Sequence, residues 1–217
     1  MLSSINWSDI GTATVDTLIM LVFSSIFTFI IGLPIGVLLF WTSNKQGWSK
    51  AIYRIVSFII NILRSVPFII LMIAVIPITR QLVGTTIGLQ AAIPPLVFAA
   101  TPFFARLVET SLREVDRGVI EAAQAMGATT MQIIFRVLLP EAKPGLWAGI
   151  TITTVTLVSY TAMSGFIGGG GLGDLAIRYG YQRFDTTVMI VTIIILVVLV
   201  QLLQMTGDKL VARYTKK

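Results

Sequence analysis

Residues 17–44, TLIMLVFSSIFTFIIGLPIGVLLFWTSN, run for 28 positions without a charged side chain. As a helix this stretch rises about 42 Å at 1.5 Å per residue, more than the roughly 30 Å hydrocarbon core of a bilayer. Charge-free runs follow at 81–105, 144–173 and 186–207, of 25, 30 and 22 residues, and the 25 residues 55–79 are apolar except for Arg64. Each exceeds the about 20 residues that a spanning helix needs. The sequence therefore predicts an all-α integral membrane protein with five transmembrane helices.

Composition agrees along the whole chain. Of 217 residues, 55% are hydrophobic and 12% charged, mean hydropathy is +0.89, and a soluble domain carries about 25% charge. That excludes a water-soluble globule, and so much apolar surface excludes disorder. The length suits a single domain, 1–217. The first run is expected to stay as an anchor, because Ser3, Ser4, Asp9 and Asp16 stand where a signal peptide has its basic start.

Five spans put the termini on opposite sides. One face then collects Lys45, Lys50, Arg54, Arg106, Arg113, Arg117, Arg136, Lys143, Lys209, Arg213, Lys216 and Lys217, and the other only Arg80, Arg178 and Arg183. Twelve against three makes the first face cytoplasmic by the positive-inside rule, with the N terminus outside and the C terminus inside. The net charge of +6 is thereby read as membrane topology, and no nucleic-acid partner is expected. Gly32-x-x-x-Gly36 and Gly145-x-x-x-Gly149 would let helix backbones approach closely.

Some chemistries are missing. With no Cys and no His there is no disulfide framework, no usual proton shuttle and no favoured zinc ligand, so no catalytic residue, metal or cofactor is assigned to this chain. No Gly-Lys dipeptide occurs, so there is no phosphate-cradling P-loop. All ten carboxylates are read into loops or helix ends, against an intramembrane ion relay.

Between the third and fourth spans lies the segment ETSLREVDRGVIEAAQAMGATTMQIIFRVLLPEAKPG, residues 109–145. It reads as two short helices. Asp116 is placed as an N-cap, with Val115 and Ile120 as a hydrophobic staple, and Gly127 as a left-handed stop. Thr129-x-x-Gln132 is a capping box for the second helix, which Pro140 follows. Val119, Ala122, Ala123 and Met126 share a smooth apolar face with Glu121 beside it, suited to close contact either with another protein or with the chain's own helix ends.

Glu121, Ala122, Ala123, Gly127, Val137, Leu139 and Pro140, at this fixed spacing, resemble the EAA loop of ABC importer permeases; the family more often has Ile where this chain has Val137. Residues 62–68 (ILRSVPF), 84–92 (GTTIGLQAA) and 168–174 (GGGGLGD) extend the resemblance to the methionine-importing members. The resemblance implies a type I ABC importer permease fold in the bacterial cytoplasmic membrane. Residues 116–140 would form a coupling loop that docks on an ATPase. Two ATPase copies carrying ATP and Mg²⁺, a second permease copy, surrounding lipid and an external substrate-binding lipoprotein complete the expected assembly, which imports methionine by alternating access. Importers of another amino acid or of glycine betaine would share the loop. A stand-alone secondary transporter or a non-conducting assembly subunit are rivals from other classes.

For the path itself the candidates are Arg64, Thr153, Thr156, Tyr160 and Met163. Counted from Tyr53, Arg64 falls about 16 Å along its helix, at mid-depth, where it would either tie helices together or line a water-filled route. The other four are spaced 3, 4 and 3 apart on one stripe of the fourth span, a weakly polar lining for a zwitterion or a set of interhelical hydrogen bonds. Residues 172–184, with Asp174 and Arg178 at i, i+4, read as an aromatic interface belt or a re-entrant segment.

Overall fold

The computed structural model describes residues 7–43 and 46–215; Ser3, Ser4, Lys45, Lys216 and Lys217, used above, lie outside them. The described chain is helical: α1 (Trp7–Ser43), α2 (Trp48–Ser65), α3 (Phe68–Val83), α4 (Leu89–Arg113), α5 (Arg117–Ala125), α6 (Thr130–Ile133), α7 (Leu139–Glu141), α8 (Lys143–Ser164), α9 (Gly171–Leu175) and α10 (Thr186–Tyr214). Among the described residues four elements are long and apolar enough to span, with a fifth if α2 and α3 count together.

Three boundaries differ from the charge-free runs, each for a local reason. The run 55–79 is not one helix: α2 and α3 meet at 113°, because Pro67 lacks an N–H and pushes Val66 into extended backbone (φ −81°, ψ 127°). The run 81–105 crosses a turn at 84–88, where the Gly84 N–H donates to the Arg80 carbonyl, so α4 begins only at Leu89 and continues through Arg106 to Arg113. The run 144–173 stops being α-helical at Ser164, ahead of the four glycines 168–171.

Helix α4 is the axis of the bundle and α1 lies along it. A Cβ on Gly36 would sit 2.5 Å from the Val108 Cβ and 2.6 Å from the Ala105 carbonyl, so this crossing requires glycine, and the first small-residue motif packs as expected. Gly145 and Gly149 lie against Ser111 and Leu107 of the same helix. The sequence reading missed Gly207 of α10, whose Cα faces Thr151 of α8 at similarly short range. Gly36→Leu is expected to overpack this crossing, at about 1–3 kcal/mol or more, and to lower the detergent-solubilised melting temperature by several degrees.

The bundle has two distinct ends. At one, Gly88 N–H donates to the Gly168 carbonyl (2.9 Å) and Leu172 N–H to Thr17 Oγ1 (2.8 Å). Here α9 is buried throughout against α1 and α8, while Tyr181 and Phe184 remain exposed on the rim. The segment 172–184 thus divides into a buried plug and a rim. At the other end the Trp147 and Tyr214 rings stack at 6.2 Å, and α5 to α7 close over the bundle through an apolar cluster holding Leu112, Ala123, Ile133 and Leu138.

Candidate coupling and translocation elements

Helix α5 starts where its sequence directs. Asp116 accepts a hydrogen bond from the Gly118 N–H at 2.8 Å, and the flanking Val115 and Ile120 pack into the same apolar cluster. Its stop is Gly127 at φ +77°, in the left-handed region. The Thr129 capping box closes on both sides, with Thr129 N–H donating to Gln132 Oε1 (2.8 Å) and Gln132 N–H to Thr129 Oγ1 (3.4 Å). Asp116→Ala is expected to remove about 1 kcal/mol of helix stability and to speed amide exchange over residues 117–120.

Helical geometry then sorts the side chains of α5. Ala123 is 5% exposed and faces the bundle, which corrects its placement beside Ala122 on one smooth face. Val119, Ala122 and Met126 remain exposed, Met126 at 83%. Glu121 projects from the opposite side, into a groove with Phe40, Trp41 and Arg113. The outward patch is therefore apolar without the carboxylate.

The second half of the loop also differs from expectation. Pro140 does not follow a finished helix but lies inside a continuous helical stretch, since residues Ile134–Leu138 widen to a π-helix before α7. The Leu139 N–H donates to the Ile134 carbonyl, five residues back. This wider turn loosens the register at the point where Pro140 can offer no N–H. Val137 and Leu139 pack half-buried against the cluster under α5, so of the seven motif residues Glu121, Ala122 and Gly127 are exposed and Ala123, Val137, Leu139 and Pro140 are not.

A charged network next to this loop escaped the sequence reading. Glu109 of α4 is 1% exposed; its carboxylate accepts from Arg106 Nη1 (2.5 Å) and from Arg113 Nη2 (2.6 Å). Arg106 Nη2 also donates to Ser57 Oγ (2.8 Å) and Asn61 Oδ1 (2.9 Å), and Arg113 Nη2 to Tyr53 Oη (3.3 Å). Both arginines thus tie α4, which runs three residues short of α5, to the amphipathic α2. Arg106, Glu109 and Arg113 at i, i+3 and i+7 carried the signal, but counting them as separate surface charges concealed it.

The structure redistributes the path candidates. Arg64 is the penultimate residue of α2, because that helix ends at Ser65, ahead of the extended Val66 and Pro67. It is exposed at the α2–α3 bend, its guanidinium carbon 5.9 Å from the Phe103 ring centre. Tyr160 stacks flat on Phe68 at the start of α3, centroids 4.2 Å apart. Thr153 is fully buried and Met163 is 42% exposed at a groove between α8 and α10, so the stripe leaves the core as it rises. Its hydroxyls do not cross between helices: Thr153 and Thr156 donate to the carbonyls of Gly149 (2.7 Å) and Ile152 (2.8 Å) one turn back. Among the described residues, buried hydroxyls without a hydrogen-bond partner fall instead on Ser24, Ser25 and Thr28 of α1, Thr79 of α3 and Thr101 of α4.

Residues 32–216 match the family described as binding-protein-dependent transport system inner membrane component. The chain is 54% identical over 203 residues to the D-methionine transport system permease protein MetI of Escherichia coli K12, covering 93% of this chain and 94% of that one. It is 53% identical over 204 residues to the probable D-methionine permease MetI of Vibrio cholerae, covering 93% and 90%. The methionine import permease MetP of Bacillus subtilis is 48% identical over 172 residues, covering 79% and 78%. Among solved structures, an inward-facing form of the MetNI methionine ABC transporter superposes with a TM-score of 0.93 at 51% identity, covering 97% and 98%. An amino acid ABC transporter matches at 0.74 with 19% identity, a likeness of fold.

Proposed function

Because this chain belongs to the family of inner membrane components of binding-protein-dependent transport systems, a multi-pass membrane permease of the ABC importer type, we propose that it imports methionine with energy from a separate ATPase. The basic end is the cytoplasmic face, and two copies of the chain enclose the path. The observation that carries this reading is the patch of Val119, Ala122 and Met126, exposed and apolar on a helix capped at both ends and backed by the bundle. Such a knob transmits force only to something seated on it.

In this reading ATP closes two ATPases, which draws the two copies of α5 together. Gly127 lets the chain turn away without a side chain in the seat, and Ala122 admits close approach. The three-residue link from α4 and the Glu109 network carry the displacement to α2 and, past the bend at Pro67, to α3, where Phe68 meets Tyr160. The two states of the path shift in population with the nucleotide state of the motor. The relatives' names and the absence of intramembrane carboxylate pairs among the described residues support this over an ion-driven carrier.

The test is uptake of labelled methionine into vesicles holding the permease with its ATPase and external binding protein. Accumulation that needs ATP and all three components is expected. Accumulation by the permease alone under an ion gradient would overturn the reading, and a preference for glycine betaine or a polar amino acid would overturn the substrate.

A further inference from the structure

The side of α5 opposite its exposed apolar patch closes a groove of about 330 Å³. Phe40 and Trp41 come from the last turn of α1, Arg113 ends α4, and Arg117, Ile120 and Glu121 line the α5 side. Two membrane-length helices terminate here, so the groove lies at the level of lipid headgroups, where a Trp at the water boundary is at home. Its charged groups among the described residues are of both signs, two guanidiniums, which match phosphate geometry, and one carboxylate, with the Gln124 amide beside them. The bridge to Glu109 uses Nε and Nη2 of Arg113, leaving Nη1 outside that pair.

We propose that this groove seats the headgroup of an aminophospholipid, phosphatidylethanolamine. Its phosphate lies between Arg113 and Arg117, its ammonium meets Glu121, and the glycerol and first acyl carbons cover Phe40, Trp41 and Ile120. A purely anionic headgroup satisfies the arginines but leaves Glu121 facing an anion. Because Arg117, Ile120 and Glu121 stand on the side of α5 away from Val119, Ala122 and Met126, lipid and ATPase hold the same short helix from opposite sides. The proposal rests on the functional reading above for the ATPase on the far side of α5 and for placing the groove in the cytoplasmic leaflet.

The experiment is native mass spectrometry of the delipidated permease–ATPase complex, titrated with dioleoyl-phosphatidylethanolamine or dioleoyl-phosphatidylglycerol. The first is expected to bind about tenfold more tightly, the order of one charge-assisted contact. Arg117→Gln weakens both lipids about tenfold, and Glu121→Gln abolishes the preference between them. Trp41→Ala, outside the coupling segment, weakens both about threefold. Equal affinity for the two lipids in the unaltered complex, or a preference that survives Glu121→Gln, overturns the proposal. Displacement by free phosphorylethanolamine at the lipid's own concentration overturns the assignment to a membrane lipid. Uptake plays no part in the readout, so the groove and the transport reading fail separately.

Discussion

Glu109→Ala unfolds the permease some 6–20 °C earlier than the unaltered chain, the largest stability loss expected of any single substitution here. The carboxylate is 2% exposed and holds two guanidiniums that are 21% and 45% exposed. Its removal leaves both positive charges without their shared counter-charge, and breaking a buried pair this way costs about 3–5 kcal/mol. A chain of this size loses about 2–4 °C per kcal/mol, which gives the range. Arg113→Ala should cost far less, about 1 kcal/mol, because that guanidinium is nearly half in water. Thermal unfolding of the purified chain measures both, and a Glu109→Ala shift no greater than that of Arg113→Ala removes the network from the stability of the fold.

Ala122→Glu acts on transport and spares the fold. Ala122 is exposed on α5, so a longer side chain meets water in the isolated chain, and melting should move by less than about 2 °C, since surface changes stay within about 0.5 kcal/mol. In the assembled transporter the same side chain places a carboxylate in an apolar seat, where burying an unpaired charge costs several kcal/mol. Methionine uptake is expected to fall at least 100-fold, together with loss of ATPase co-purification. Gly127→Asp should abolish transport in the same way with membrane insertion intact, as a Cβ there touches nothing and Asp tolerates the left-handed region. Uptake within twofold of normal in both variants would show that α5 is not where the motor grips.

What the sequence made legible was local. The caps at Asp116, Gly127 and Thr129 depend on neighbours within four residues, and each forms where the residue types place it. Apolar length found the spans because the bilayer sets a minimum that charge-free runs must meet. Charge alone misplaced their ends: α4 carries Arg106 through its final turns because Glu109 neutralises it there, and the glycines at 84 and 168–171 break helices without any charge. Reading 55–79 as one helix puts Arg64 at mid-depth, and the break that Pro67 imposes after Ser65 places it at the α2–α3 bend. The burial of Ala123 against the exposure of Ala122 depends on where α5 rests, which spacing within α5 does not encode.

The wide turn at Ile134–Leu138 fixes how the gene can change length. A π turn holds one residue more than an ordinary turn, so removing one codon there would restore ordinary winding and leave the segments on either side near their present facing, whereas the same cut in a regularly wound helix swings everything beyond it by about 100°. Single-residue deletions, which connecting loops usually absorb, should therefore be accepted at this turn as well and purged from the regularly wound helices around it.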